Sequence, residues 1–152
     1  MKKNIQAGPL ATAVRLLSRR DHSEQQLREK LRRNEFTAEQ IDEAIVELKR
    51  RGYLDDARLK QHVLENLLGE KRHGLRSIQE KLRQLGFGQI SSSELRQYYP
   101  EEAEWEAAIR LLEKRFPALY SEDFSRLARF LANRGFSTEI VSKLARECRK
   151  YQ

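Results

Sequence analysis

The apolar residues of this 152-residue sequence recur at the spacing of amphipathic helices, and one such stretch is repeated three times. Each copy has two aliphatic residues one turn apart on the same helical face, and a phenylalanine five residues further on. The copies are Leu27, Leu31 and Phe36; Ile78, Leu82 and Phe87; and Leu127, Leu131 and Phe136. Steps of 51 and then 49 residues separate them. This period indicates an array of one small helical unit.

Residues that cap helices frame the first copy. Ser23 with Gln26, and Thr37 with Gln40, have the spacing of a capping box, which satisfies backbone N–H groups at a helix start. Gly52 follows a basic last turn, as is typical just past a helix end. No segment alternates with a period of two, so we expect no strand. The pattern predicts an all-α fold, an elongated array of three tandem three-helix, helix-turn-helix-like repeats.

The repeat frame also predicts boundaries. We expect a flexible basic tail over residues 1–9 and repeats over 10–54, 55–100 and 101–152. Asp55 and Asp56 are well placed to cap the first helix of repeat 2. Repeat 3 starts with an acidic first turn that suits a helix N-terminus, formed by Glu101, Glu102 and Glu104. The expected apolar face of the first helix is Leu10, Ala13, Val14 and Leu17. In the last helix of repeat 2 it is Leu95 with Tyr98 or Tyr99.

The charge balance points to an anionic partner. Hydrophobic residues make up 39% of the chain and charged residues 35%, which suits thin modules that share small cores. Net charge is +7, and residues 1–54 hold 12 Lys/Arg against 8 Asp/Glu while residues 55–99 hold 8 against 6. The first two thirds therefore carry +6 of the +7. This bias favours nucleic acid or an acidic protein surface as partner.

Nothing in the sequence supports catalysis. Three scattered histidines, His22, His62 and His73, lack metal-ligand spacing or a neighbouring nucleophile, and no phosphate-binding glycine loop is present. Cys148 is the only cysteine and lies on an apolar helix face, where an inert buried thiol in a reducing compartment is expected. There is no apolar run long enough to cross a membrane. We expect a cytoplasmic, monomeric protein that is not an enzyme and uses no cofactor or metal.

The candidate binding residues are basic side chains on the central helices and their neighbours. They are Arg28, Lys30, Arg32, Arg33, Lys49, Arg50, Arg51, Lys71, Arg72, Arg76, Lys81 and Arg83. Some have an acidic residue four positions away, giving the expected pairs Glu24–Arg28, Glu29–Arg33, Glu47–Arg51 and Arg76–Glu80. The others lack one and are better candidates for an external anion. A solvated face with internal pairs is the alternative interpretation of the cluster.

Two nucleic-acid modes are less favoured by the residues. Gln25 and Gln26 could begin one recognition helix that reads base edges, but threefold repetition fits a long groove or filament surface better. The aromatic residues occupy mostly repeat-frame or apolar positions, so we interpret them chiefly as core and not as a base-stacking platform.

Three stretches resemble the signatures of one family. They are Arg20-Asp21-His22-Ser23 leading into Leu27 and Leu31; Gly52-Tyr53-Leu54-Asp55-Asp56-Ala57-Arg58-Leu59; and Gly74-Leu75-Arg76-Ser77-Ile78-Gln79-Glu80-Lys81-Leu82 followed by Gly86. In this order they resemble RecX, a family of bacterial regulators of the RecA recombinase, over nearly the whole chain after the tail. Gln26 and Lys81 stand where the family usually has Glu, and Leu59 where it has Phe. Repeat 3 matches least well.

The resemblance implies three three-helix repeats, no catalytic site, and binding within the groove of the RecA–single-stranded-DNA filament. It further implies inhibition of recombinase, ATPase and co-protease activity by blocking filament extension or promoting disassembly. Such a protein would take part in the regulation of DNA repair, homologous recombination and the SOS response. The alternative is a basic helical-repeat protein that binds single- or double-stranded DNA directly. A purely structural helical adaptor would leave the charge bias unexplained.

Overall fold

A computed structural model describes residues 7–151 of the chain. In this part the backbone forms nine α-helices and two short 3-10 helices, and it contains no strand. The α-helices are α1 Pro9–Leu17, α2 Glu24–Arg33, α3 Ala38–Arg50, α4 Asp56–Gly69, α5 Leu75–Gln84, α6 Ser92–Arg96, α7 Glu101–Arg115, α8 Phe124–Asn133 and α9 Thr138–Cys148. The 3-10 helices are Leu119–Ser121 and Arg149–Tyr151. The predicted all-α class is confirmed.

The helices are distributed over two compact units. Unit 1 comprises the residues up to His62 together with Gln84–Phe87, and unit 2 comprises Val63–Arg83 with the residues from Gly88 onward. In unit 1, α1 packs on α2 and α3. Its buried core is Ala13, Leu27, Leu31, Ile41, Ile45, Leu48 and Leu54. Leu27 and Leu31 were predicted to share one helical face, and both are fully buried.

Unit 2 has buried residues in each of its α-helices. One core lies between α7, α8 and α9 and includes Leu112, Leu127, Leu131, Phe136, Ile140 and Leu144. Further buried side chains come from α4 to α6 and the segments beside them: Leu64, Leu67, Leu75, Ile78, Leu82, Ile90, Leu95 and Tyr99. The aliphatic pairs of the repeat frame are therefore fully buried in both units.

Local capping follows the sequence closely. The Ser23 side chain accepts a hydrogen bond from the backbone N–H of Gln26, and the Gln26 side chain accepts one from the backbone N–H of Ser23. Thr37 and Gln40 are paired in the same way, so both capping boxes form. Gly52 follows α3 in the left-handed conformation, φ +72°. The tail predicted over residues 1–9 lies mostly outside the described residues, and α1 begins at Pro9. The repeat boundaries remain a prediction.

One local expectation was wrong, one alternative is resolved, and the burial of one acidic residue was not predicted. Val14 is 38% exposed, and Thr12 is buried in its place, with its hydroxyl donating to the carbonyl of Ala7. Tyr99 supplies the apolar face after α6, whereas Tyr98 is 60% exposed. Glu104 lies in the acidic first turn of α7, as expected, but its full burial was not predicted. In each case a tertiary neighbour, which local spacing does not reveal, decides burial.

Candidate partner-binding surface

The basic residues of α2 in unit 1 fall into two groups. Arg28 pairs with Glu24 at 2.9 Å, as expected from their spacing, and with Asp42 of α3 at 2.5 Å. Hydrogen bonds from Arg28 to Asp42 and then Glu24 raise the pKa of the guanidinium. Arg33 is loosely paired with Glu29 at 3.8 Å. Lys30, which is half-buried, and Arg32, which is exposed, have no ion-pair partner among the described residues.

The basic end of α3 is largely neutralised. Lys49 lacks an acidic residue four positions away, but it reaches Glu24 of α2 at 2.5 Å. This contact is the first cause of the lowered pKa of Glu24. Arg50 and Arg51 both bind the carboxylate of Glu47, at 2.7 and 2.5 Å, and their hydrogen bonds lower the pKa of Glu47 to about 2. Lys49 and Arg50 are therefore less available to an external anion than their spacing indicated, whereas the Glu47–Arg51 pair was expected.

In unit 2 the pairing also differs from the i, i+4 expectation. Glu80 binds Arg83 at 2.7 Å, and the expected Arg76–Glu80 pair is not formed among the described residues. Arg72 binds Glu70 at 2.8 Å, and the ring of His73 lies 2.6 Å from the same carboxylate. Contacts with His73 and then Arg72 lower the pKa of Glu70.

Five of the predicted basic residues have no internal ion-pair partner in the described part of the chain. Of the twelve predicted residues, those without an ion pair in residues 7–151 are Lys30, Arg32, Lys71, Arg76 and Lys81. Within unit 2, Arg76 and Arg83 also line an open depression of about 660 Å³ beside Ser91 and Ser92. An unpaired cation gains more from an external anion than a paired one, because it does not first lose an internal partner. Within each unit, the unpaired cations are therefore the strongest candidates for contact with an anionic partner.

In unit 1, the start of α2 is held by two residues distant in sequence. We call this contact the unit 1 joint; it comprises Ser23, Glu24, Asp56, Leu85 and Gly86. The Ser23 hydroxyl donates to the carbonyl of Leu85, and the Asp56 carboxylate accepts from the first amide of α2, that of Glu24, at 2.9 Å. Asp56 therefore caps α2, while Asp55 caps its own helix by accepting from the amide of Arg58 at 3.0 Å.

Unit 2 repeats this arrangement around Glu104, and we call it the unit 2 joint; it comprises Gly74, Leu75, Arg96, Glu104, Gly135 and Ser137. One carboxylate oxygen of Glu104 accepts from the first amide of α5, that of Leu75, and from the amide of Ser137, both at 2.9 Å. The other oxygen accepts from the Ser137 hydroxyl at 2.9 Å and from Arg96 at 2.7 Å. A fully buried carboxylate is thus satisfied by four donors.

Glycines allow close backbone approach in the unit 2 joint. Gly135, at φ +74°, accepts a hydrogen bond from the amide of Arg76 at 2.8 Å. A Cβ at Gly74 would lie 2.1 Å from the amide nitrogen of Phe136. A Cβ at Gly135 would lie 2.5 Å from the amide nitrogen of Ser77. Larger residues at these two positions would force the backbones apart.

The remaining titratable groups include two buried ones. His22 is 3% exposed, and its Nδ1 is the one buried side-chain nitrogen or oxygen in the described part of the chain without a hydrogen bond. Burial, followed by the charges of Arg20 and Lys30, lowers the pKa of His22. Burial raises the pKa of the Cys148 thiol. Among the described residues no group of His, Cys, Asp and Glu side chains is arranged to hold a metal ion.

Comparisons with known proteins identify the family of this chain. The model of the RecX first three-helix domain matches residues 10–48, and that of the RecX third three-helix domain matches residues 101–144. A regulatory protein RecX from Vibrio vulnificus (strain CMCP6) is 35% identical over 135 residues, which is 86% of each chain. The chain belongs to the RecX family. Another regulatory protein RecX, from Pelodictyon phaeoclathratiforme, is 31% identical and is aligned over 96% of this chain and 92% of its own length.

Solved RecX structures share the fold. The crystal structure of RecX from Lactobacillus salivarius has a TM-score of 0.76 at 18% identity and covers 92% of this chain and 94% of its own. A second regulatory protein RecX has a TM-score of 0.71 at 19% identity, over 90% of this chain and 71% of its own. In the described residues of this family member, no helix is long and apolar enough to span a bilayer.

Sequence reasoning missed the two joints in this RecX chain. Asp56 and Glu104 lie 22 and 23 residues before the first aliphatic residue of their repeats, Ile78 and Leu127. The repeat frame therefore marks them as near-equivalent positions. What the spacing does not show is that each carboxylate caps the central helix of the preceding repeat.

Proposed function

We propose that this protein is a non-catalytic regulator that binds the RecA–single-stranded-DNA filament and inhibits its recombinase, ATPase and co-protease activities. Inhibition would come from blocking filament extension or promoting disassembly. The observation that carries the proposal is membership of the RecX family, whose relatives bear the name regulatory protein and align with most of this chain. The three signature stretches resemble those of RecA regulators, and this resemblance supports RecA as the partner.

The unpaired cations support a filament surface as the binding partner. Lys30 and Arg32 lie on α2, and Arg76 and Lys81 lie on α5, the central helix of the next repeat. With the repeat step of 51 residues, Lys81 is equivalent to Lys30. A filament presents the same anionic features at regular intervals, so repeated cations can bind it through several weak contacts at once. Weak contacts add when they are linked, which suits a protein with little core and much charged surface.

The test is RecA ATP hydrolysis on single-stranded DNA, with this protein added substoichiometrically after filaments have formed. Progressive loss of activity at far less than one copy per RecA is expected, because capping or destabilising a filament affects many protomers. No effect until the protein matches the free DNA sites would indicate competition for DNA instead. No effect at any concentration would reject the proposal.

Charge variants test the surface itself. Arg76→Glu with Lys81→Glu should weaken inhibition at least tenfold at low salt and less at high salt, since screening removes the electrostatic part. The matched control is Arg129→Glu with Arg146→Glu, which changes the net charge equally at exposed positions of α8 and α9 outside the predicted set. Equal loss in both pairs would mean that only net charge matters.

Direct DNA binding is the second candidate function, favoured by the net charge of +7. Phosphate binding releases counterions, so affinity should fall steeply and linearly with salt on a logarithmic scale. Fluorescence anisotropy with naked oligonucleotides and with RecA-coated oligonucleotides separates the two functions. Tighter binding to coated DNA supports the regulator, and equal or tighter binding to naked DNA supports the alternative.

A further inference from the structure

Unit 2 carries a small apolar depression of about 130 Å³, which we call the Tyr98 pocket. It is lined by the end of α4, the turn that follows, the two tyrosines after α6, and one face of α7. Its floor includes Leu68, Ala103 and Ala107. Ala103 and Ala107 are one turn apart on α7, and their small side chains leave room between the larger residues of the rim.

Tyr98 lines this pocket and is largely exposed, unlike the tyrosine that follows it. Its neighbour Tyr99 is 5% exposed and donates its hydroxyl to the carbonyl of His73 at 2.9 Å. Tyr98 is 60% exposed. A large aromatic side chain held at the surface beside an apolar floor is typical of an anchor residue in a protein interface.

Three charged side chains complete the rim. Lys71 and Arg110 are exposed, and neither forms an ion pair within residues 7–151. Lys71 has a positive φ of +48° in the turn after α4. Glu106 lies on the same rim and is also exposed. The pocket thus combines an apolar centre with two available cations and one carboxylate.

We propose that the Tyr98 pocket binds a protein segment in which one apolar side chain is flanked by carboxylates. The apolar side chain would fill the depression against Leu68 and the two alanines, and be covered by the Tyr98 ring. The carboxylates would pair with Lys71 and Arg110. Burying one side chain in a fitted depression while pairing charges at its edge is how small protein-interface anchors gain affinity.

The same features disfavour a nucleotide as the occupant. A base inserted into the depression would bring polar edges against Leu68 and alanine side chains, which leave its hydrogen-bonding groups unsatisfied. A continuous phosphate chain would also pass the carboxylate of Glu106, which repels it. A peptide can place its charges beside the two cations and away from Glu106.

The probe is a capped pentapeptide with leucine at its centre and two aspartates on either side, titrated into the full-length isotope-labelled protein. Saturable amide shifts are expected at Lys71, Ala103, Ala107 and Arg110 in heteronuclear NMR spectra. Tyr98→Ala should weaken binding at least fivefold. Lys71→Asn, which tolerates the positive φ, should weaken it about threefold at low salt and less at high salt. The titration contains no RecA, so its outcome is independent of the filament assay.

Tyr53→Ala is the matched control, because Tyr53 is 55% exposed in unit 1 and does not line the pocket. The affinity of the Tyr53→Ala variant for the peptide should stay within twofold of that of the unsubstituted protein. The proposal is overturned if no saturable shifts occur at millimolar peptide, or if the two tyrosine variants weaken binding equally. It also fails if a peptide with alanine at its centre binds as well. If oligothymidylate shifts the same amides with a lower dissociation constant than the peptide, the pocket is a nucleic-acid site and the proposal is wrong.

Discussion

The two joints use the same design with very different degrees of burial. In each unit a carboxylate from the first helix of one repeat accepts a hydrogen bond from the first amide of the preceding repeat's central helix. Asp56 in the unit 1 joint is half-buried, and its one described hydrogen bond is that from the Glu24 amide. Glu104 in the unit 2 joint is fully buried and has four donors.

The difference in burial determines how much a capping carboxylate contributes to stability. A solvated carboxylate at a helix N-terminus gives up little hydration and gains a modest interaction with the helix dipole. A buried carboxylate loses its hydration, so it persists only where several donors replace the water. The second case makes the backbone amides of Leu75 and Ser137 dependent on the carboxylate, because each would otherwise be a buried amide without a partner. The unit 2 joint should therefore be the more sensitive to substitution.

The largest effect is expected for Glu104→Ala. It removes the acceptor of two backbone amides, a hydroxyl and a guanidinium that is 23% exposed, and should lower the free energy of unfolding by about 3–5 kcal/mol. Urea denaturation gives the value. Glu104→Gln keeps an acceptor oxygen and should cost less. If Glu104→Ala costs no more than Asp56→Ala, burial is not what separates the two joints.

The next largest loss of stability is expected for Gly135→Ala, at the close backbone contact of the unit 2 joint. Gly135→Ala adds a Cβ at φ +74° and 2.5 Å from the amide nitrogen of Ser77, so it combines conformational strain with a clash. The matched control is Gly52→Ala, which has φ +72° but no atom within 4 Å of the added Cβ. Strain alone costs about 1–2 kcal/mol, and the clash should at least double that in Gly135→Ala.

Thermal unfolding of the two glycine variants measures the difference. Gly86→Ala in the unit 1 joint should fall between them, because its Cβ meets side-chain atoms of Gln25 and Ser23 at 2.8 Å and not backbone. Equal losses for Gly135→Ala and Gly52→Ala would show that the unit 2 joint relaxes freely around an added methyl group.

The features available from the sequence are those set by local spacing. The buried aliphatic pairs, the capping boxes at Ser23 and Thr37, and the left-handed Gly52 all follow from periods of a few residues. Lys49 shows the limit, since its partner Glu24 lies 25 positions earlier and on another helix. The same limit applies to Glu104. Its acidic side chain suits a first turn locally, but its donors come from α5, α6 and the N-cap residue of α9.

A smaller effect is expected for Asp56→Ala. It removes one cap from α2 and should cost about 1 kcal/mol, as is usual for the loss of a capping side chain. Asp55→Ala is the matched control, because Asp55 caps α4 through the amide of Arg58 and lies in the same unit. Hydrogen exchange distinguishes the two: Asp56→Ala should reduce protection at the start of α2, whereas Asp55→Ala should reduce it at the start of α4.

The smallest effect is expected from His22, which adjoins Ser23 in the unit 1 joint and has a lowered pKa in the folded state. Above the ordinary pKa of about 6.5 the ring is neutral both folded and unfolded, so it adds no pH dependence. Below 6.5 the unfolded chain takes up the proton first, and stability falls as pH drops toward the folded pKa. Glu24 and Glu47 have lowered pKa values and contribute only at more acid pH. Urea denaturation between pH 7 and 5 should therefore show a slope that His22→Gln reduces, and an unchanged slope would assign the acid sensitivity elsewhere.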